Sequence, residues 1–299
     1  MNELVIKKAP LNGKIKKTAN EKRFLAIFLI IFVVYGLTLI APAFWTLYSS
    51  LKTGGDYYDN FFAFPKIGEF QWQNYYNAFT KITYNNTPFY FMFVNSLWMA
   101  LVQVVVNVGC SALTAYAMAK FRFPGKTLLY SIAIFIQVVP IIGTGGARYK
   151  FYYNIGLINN PFLIWLSWAG GFDFAFIVLY GYFKSISTTY MEAARIDGAS
   201  NFTTMIKIML PQALPAIMSL MILNFISAWN DYGTPLMYMT KYPTMAVGLY
   251  VFSSEAEFLP NATPTYLAAV VFAMIPPIAI FSVTQKTVMN NVTAGGLKG

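Results

Sequence analysis

Residues 24–51 read FLAIFLIIFVVYGLTLIAPAFWTLYSSL, without one charged side chain. A helix rises about 1.5 Å per residue, so about 20 apolar residues cross the roughly 30 Å hydrocarbon core of a bilayer. This run is long enough. It is too long for the apolar region of a signal peptide, and Trp45-Thr46-Leu47-Tyr48 near its end offers no small-residue cleavage pattern. It predicts an uncleaved membrane-spanning helix. Five further runs follow: Thr87 to Ala119, Thr127 to Ala147, Phe151 to Phe183 broken only by Asp173, Ile208 to Thr240 interrupted by Asp231, and Phe258 to Gln285. The pattern predicts an all-α, multi-pass protein of the cell membrane with six transmembrane helices.

The composition of the whole chain agrees. Of 299 residues, 57% are hydrophobic and 11% charged, against about 25% charged in a soluble domain. Mean hydropathy is +0.53. A disordered chain, a coiled coil and a water-soluble enzyme are excluded. There is no His, which removes the commonest zinc and iron ligand and the usual proton relay. No metal site is expected. Cys110 is the sole cysteine, so no internal disulfide forms.

The net charge of +10 is a topology signal rather than a nucleic-acid footprint, and no nucleic-acid partner is expected. With both termini in the cytoplasm, fifteen of the 21 Lys and Arg fall inside, seven of them in the basic segment 1–23. Six fall outside: Lys52, Lys66, Lys81, Arg148, Lys150 and Lys241. The expected layout is a cytoplasmic N-terminal segment 1–23, a permeating domain 24–285 in contact with membrane lipid, and a cytoplasmic tail 286–299.

One inner loop, residues 184–211, is long and helix-prone. Thr189-Tyr190-Met191-Glu192 has the form of a capping box. Ala193 and Ala194 favour helix, Gly198 is placed to end it in a left-handed conformation, and Ser200 can cap a second short helix. Pro211 and Pro215 mark the entry to the next span. The loop reads as a helix–turn–helix on the cytoplasmic surface, between spans four and five.

These residues carry a resemblance. Glu192-Ala193-Ala194, Asp197-Gly198, then Ile208, Leu210 and Pro211 are similar to the cytoplasmic loop motif of binding-protein-dependent ABC importer permeases. Ala115-Tyr116-Ala117 to Gly125, Trp229-Asn230-Asp231 and the tail from Thr293 to Gly299 resemble the sugar-importing, maltose-type branch. Ser187 and Met205 depart from it, where the family usually has Pro and Phe. The resemblance implies a non-catalytic permease working by alternating access. Its implied partners are a second, related permease, an ATPase dimer and an extracytoplasmic sugar-binding protein. The loop from Glu192 to Pro211 would couple to the ATPase. No cofactor is expected on this chain; ATP and Mg would sit on the partner ATPase. Gly125-Lys126-Thr127 is no phosphate loop, because Lys120 stands where that pattern needs Gly.

Charges inside a membrane are costly and are functional candidates. Asp173 follows Gly170-Gly171-Phe172; it lines a polar path, or sits in a wet pocket where the Gly pair breaks the span, or serves as a structural pair or cap. Trp229, Asn230, Asp231 and Tyr232 combine aromatic faces with donors and acceptors, which suits a sugar; an interfacial belt is the plainer alternative. Gln137 and Asn224 belong to the candidate path or to interhelical bonding. In the outer loop 241–264, Tyr250, Phe252 and Glu255 are the candidate contacts to the binding protein, again by resemblance. The competing class is an ion-driven secondary transporter using Asp173 and Asp231 as coupling acids. That reading leaves the 192–211 motif without a purpose.

Overall fold

The computed structural model describes residues 18–139, 143–256 and 262–296, the side chains of 255–256 and 286–296 excepted. The chain opens with α1 (Ala19–Ser49), α2 (Gly54–Asp59) and α3 (Gln73–Lys81). A hairpin of β1 (Thr83–Tyr84) and β2 (Thr87–Pro88) follows. Its two turn residues, Asn85 and Asn86, both have positive φ, which asparagine tolerates and tight hairpins require. Then come α4 (Phe89–Lys120), α5 (Lys126–Val138), α6 (Gly145–Asn154), α7 (Trp165–Trp168) and α8 (Phe174–Ser185). The surface pair α9 (Thr189–Ile196) and α10 (Asn201–Thr204) leads through a π-helical turn, Met205–Met209, into α11 (Leu210–Asn230). The chain ends with α12 (Gly233–Tyr238), α13 (Met245–Ala256) and α14 (Ala262–Gly296).

Among the described residues, four helices are long and apolar enough to cross a membrane: Ala19–Ser49, Phe89–Lys120, Asn201–Asn230 and Ala262–Gln285. Lys126–Val138 and Phe174–Ser185 are shorter apolar helices. The run from Phe151 to Phe183 is therefore not one helix. It is divided among the end of α6, α7 and α8, with turns at Gly156 and Asn159, both at positive φ, and a break at Gly170 to Asp173. Nor is 241–264 simply a loop, because α13 occupies much of it.

α4 sits at the centre and contributes to all three apolar clusters. With α8 and α11 it buries Val108, Ala112, Ala115, Phe176, Leu179, Phe183 and Ala213. Its alanines let the aromatic side chains of α8 approach closely. With α3, α11, α13 and α14 it buries Phe89, Met92, Val104, Phe225, Trp229 and Ala268. A third cluster joins Met99 to Leu157, Ile164, Trp168 and Tyr238. α1 differs: almost all of its apolar side chains are exposed, and burial begins only at Ser49.

The end of α1 is clasped. The Lys52 ammonium, 1% exposed, donates to the carbonyls of Asn60 (3.0 Å) and Phe61 (3.1 Å) and lies over the Tyr48 ring. Trp45 Nε1 also donates to Phe61 O, and the Tyr48 hydroxyl to Phe62 O. Burial pushes the Lys52 pKa down, and the nearby Asp56 charge opposes it.

Candidate functional site

Two places carry chemistry: the α9–α10 pair and the break before α8. The pair is built by local rules. Gly198 has φ +78°, the Ala199 N–H bonds Ala194 O, and the Gly198 N–H bonds Arg195 O. This is the paired closure of a helix C-terminus on a left-handed residue. Ser200 caps α10 by accepting from the Thr203 N–H at 3.1 Å. The expected capping box at Thr189 is not formed. Thr188 stands at the cap position without a side-chain bond, and Ser187 Oγ engages both the N–H and the hydroxyl of Thr189. The departure at Ser187 thus sets how this helix begins.

The pair has a rooted side and an open side. Met191 is buried in the core shared by α4, α8 and α11, and Ala194 is buried beside it in sequence. Glu192, Ala193, Asp197 and Gly198 are exposed. Ile196 is 87% and Phe202 70% exposed. Ile208 and Leu210 pack on the core, while Pro211 is exposed. The π-turn has a local cause. Pro211 has no N–H and its ring crowds the carbonyl four residues back; the wider turn, closed by Leu210 N–H to Met205 O, relieves that crowding.

At the break, Asp173 caps α8. Its Oδ1 accepts from the Phe176 N–H at 2.9 Å and from Ser111 Oγ at 2.7 Å. Its Oδ2 accepts from Asn107 Nδ2 at 2.8 Å. Gln137 Nε2 donates to Phe172 O at 3.1 Å, tying α5 to the same break. Gly170 must be glycine: an added Cβ would stand 2.7–2.8 Å from Asp173 Oδ2, Asn107 Nδ2 and Ser111 Oγ. A cavity of about 610 Å³ opens here, lined by Gln103, Asn107, Thr114, Ser167, Trp168 and residues 169–173. At the other end of the two helices, Lys120 Nζ donates to the Ile186 carbonyl at 2.5 Å. Counting about 1.5 Å per residue from that end puts Asp173 and Asn107 each about 18–20 Å away along their helices. Gln103, Asn107 and Ser111 recur every fourth residue on one face of α4. That polar stripe was readable in the sequence; its partner Asp173 was not.

The remaining candidates do not converge on this cavity. Trp229 is buried and its indole donates to Ala273 O. Asn230 and Asn224 bond back to their own helix, at Ile226 O and Leu220 O. Asp231 Oδ1 accepts the Thr234 N–H and starts α12. Tyr232 stacks on Tyr250 with ring centroids 4.3 Å apart, and Phe252 packs among α13 and α14 side chains. Glu255 lies in α13, its side chain outside the described residues.

Residues 91–292 match the family described as the binding-protein-dependent transport system inner membrane component. The chain belongs to that family. Membership and the apolar helices make it a multi-pass inner-membrane permease component. Among its relatives is the diacetylchitobiose uptake system permease of Streptomyces coelicolor, 27% identical over 93% of this chain and 90% of that protein. The trehalose/maltose transport system permease of Thermococcus litoralis is 30% identical over 69% of this chain and 74% of that protein. In a solved bacterial ABC transporter involved in the import of the acidic polysaccharide alginate, one chain superposes with TM-score 0.74 at 23% identity. The match covers 90% of this permease and 98% of that chain. It establishes the shared fold.

Proposed function

We propose that this permease is the membrane subunit of an ATP-driven sugar importer, fed by an extracytoplasmic binding protein and paired with a second permease and an ATPase dimer that holds ATP and Mg. The observation that carries the reading is the α9–α10 pair. It is rooted by Met191 in the α4–α8–α11 core and offers Ile196 and Phe202 almost bare to the outside. A surface that apolar calls for a protein partner, and its rooting gives that partner a lever on the bundle. Glu192, Ala193, Ala194, Asp197, Gly198, Ile208, Leu210 and Pro211 form this coupling element. The relatives' names, both sugar permeases, supply the cargo class.

In this reading the bundle crosses the bilayer six times, by α1, α4, α5, α8, α11 and α14, with both termini and α9–α10 in the cytoplasm. α5 and α8 reach only part-way, and the chain around α6 and α7 completes those crossings. Irregular backbone at membrane depth is tolerated where it lines a cavity, and the Asp173 break does. ATP binding closes the ATPase dimer and the bundle opens outward; hydrolysis resets it. Gln137 and Asp173 belong to the path at the break; Asn224 on α11 and Trp229 to Tyr232 around its end belong to the path away from that cavity. Tyr250, Phe252 and Glu255 face the binding protein from α13.

The test is Gly198→Asp in the assembled transporter. A side chain at φ +78° costs about 1 kcal/mol in strain, enough to reshape the turn but not the bundle. The expected result is membrane insertion at normal level with uptake lost. Normal uptake in this variant would refute the coupling role.

A further inference from the structure

The cavity at the α8 break discriminates by charge. Resting on the importer reading above, we infer that this permease passes uncharged saccharides and rejects acidic ones. The Asp173 carboxylate takes three hydrogen bonds, from an amide, a hydroxyl and a backbone N–H. Both of its oxygens are engaged in this way. Every partner is neutral, so the negative charge is held in place but not cancelled. None of the described lining residues is Lys or Arg, and among the described residues no basic side chain pairs with Asp173.

The rest of the lining suits a neutral ring. Gln103 carries a free amide, with no hydrogen-bond partner among the described residues, so it has donors and an acceptor for hydroxyls. Ser167 spends its proton on Ile164 O and Thr114 on Cys110 O, which leaves each hydroxyl oxygen free to accept. A uronate entering here would lose water and meet a fixed like charge with no cation to offset either cost. The shared fold with an alginate-importing transporter therefore does not extend to the cargo.

The test uses the assembled transporter without its binding protein, so that delivery cannot impose the selectivity. A Cys110→Ser/Thr114→Cys variant places a single thiol on the cavity wall, and maleimide labelling is timed with maltotriose or with a mannuronate trisaccharide. Maltotriose should slow labelling at least about three-fold and the uronate should not. In wild type, equilibrium binding of the two radiolabelled trisaccharides should favour the neutral one at least ten-fold. Gln103→Lys, which supplies the missing cation, should bring that ratio towards one. Equal or better protection by the uronate, or protection by neither sugar, would overturn the inference. ATP-dependent uptake measured in parallel with the binding protein restored separates the outcomes: if it persists, the importer reading stands and only the charge selectivity falls.

Discussion

Gly170 leaves no room for a side chain. Its missing side chain is replaced by a carboxylate, an amide and a hydroxyl, all 2.7–2.8 Å from where a Cβ would sit. Gly170→Ala must push at least one of them away, leaving a buried polar group short of a partner at about 1–3 kcal/mol. The purified transporter should then melt roughly 2–12 °C lower, and uptake should fall with it; an unchanged melting temperature would show that the cluster yields without cost. Single residues were also where the sequence was easiest to read. Gly198 and Ser200 act on neighbours within four positions, so their roles follow from local rules. Asp173 was marked as costly, but its donors lie 62 and 66 positions upstream, and nothing local announces them. Thr189 misled because two hydroxyl residues precede it, and Ser187 reached its N–H first.

Among the elements, α8 is held to α4 at both ends. Asp173 joins its start to Asn107 and Ser111, and Lys120 joins its last carbonyls to the end of α4. Between those clamps lie Phe176, Leu179 and Phe183 against the α4 alanines. α9 begins three residues after Ile186, so a displacement of the surface pair passes into α8 and α4 as one body. Lys120 is then a positioning residue for coupling. Lys120→Met should leave assembly and resting ATP hydrolysis in place but cut stimulation by loaded binding protein about ten-fold, and Lys120→Arg should restore most of it. Equal stimulation in wild type and Lys120→Met would remove the clamp from the mechanism. Hydropathy located α4, α8 and α11 because their apolar faces are long. It ran on through Gly170 to Asp173 because only one charge interrupts that apolar run, where the Gly pair was the one sign of a break, and it passed over α13 because the segment around it carries acids and prolines.

For the molecule as a whole, the loop motif pointed to the family that the chain belongs to, while charge placement supplies only an expected topology. How the described parts pack came only from the structure, since α4's three sets of neighbours are drawn from most of the chain. The outer clasp adds a pH dependence. The hydrogen bond from the Thr53 hydroxyl holds the Asp56 carboxyl below its ordinary 3.8; desolvation opposes it, and the Lys66 charge adds to the lowering. A depressed carboxyl stabilises the fold above its unfolded value, and the contribution is lost as pH falls through the folded one. Hydrogen exchange over α2, corrected for intrinsic rate, should therefore speed up from about pH 5 to about pH 3, and Asp56→Asn should flatten the change. A wild-type profile as flat as the variant's would argue against it.

That clasp also makes α1 a tethered rod. Along its length little protein grips it, yet at one end an ammonium, an indole and a phenol all hold the carbonyls of residues 60–62. A force applied to the N-terminus would draw the helix until it met this knot. The resistance would rise there in one step, and residues 45–62 would give way together.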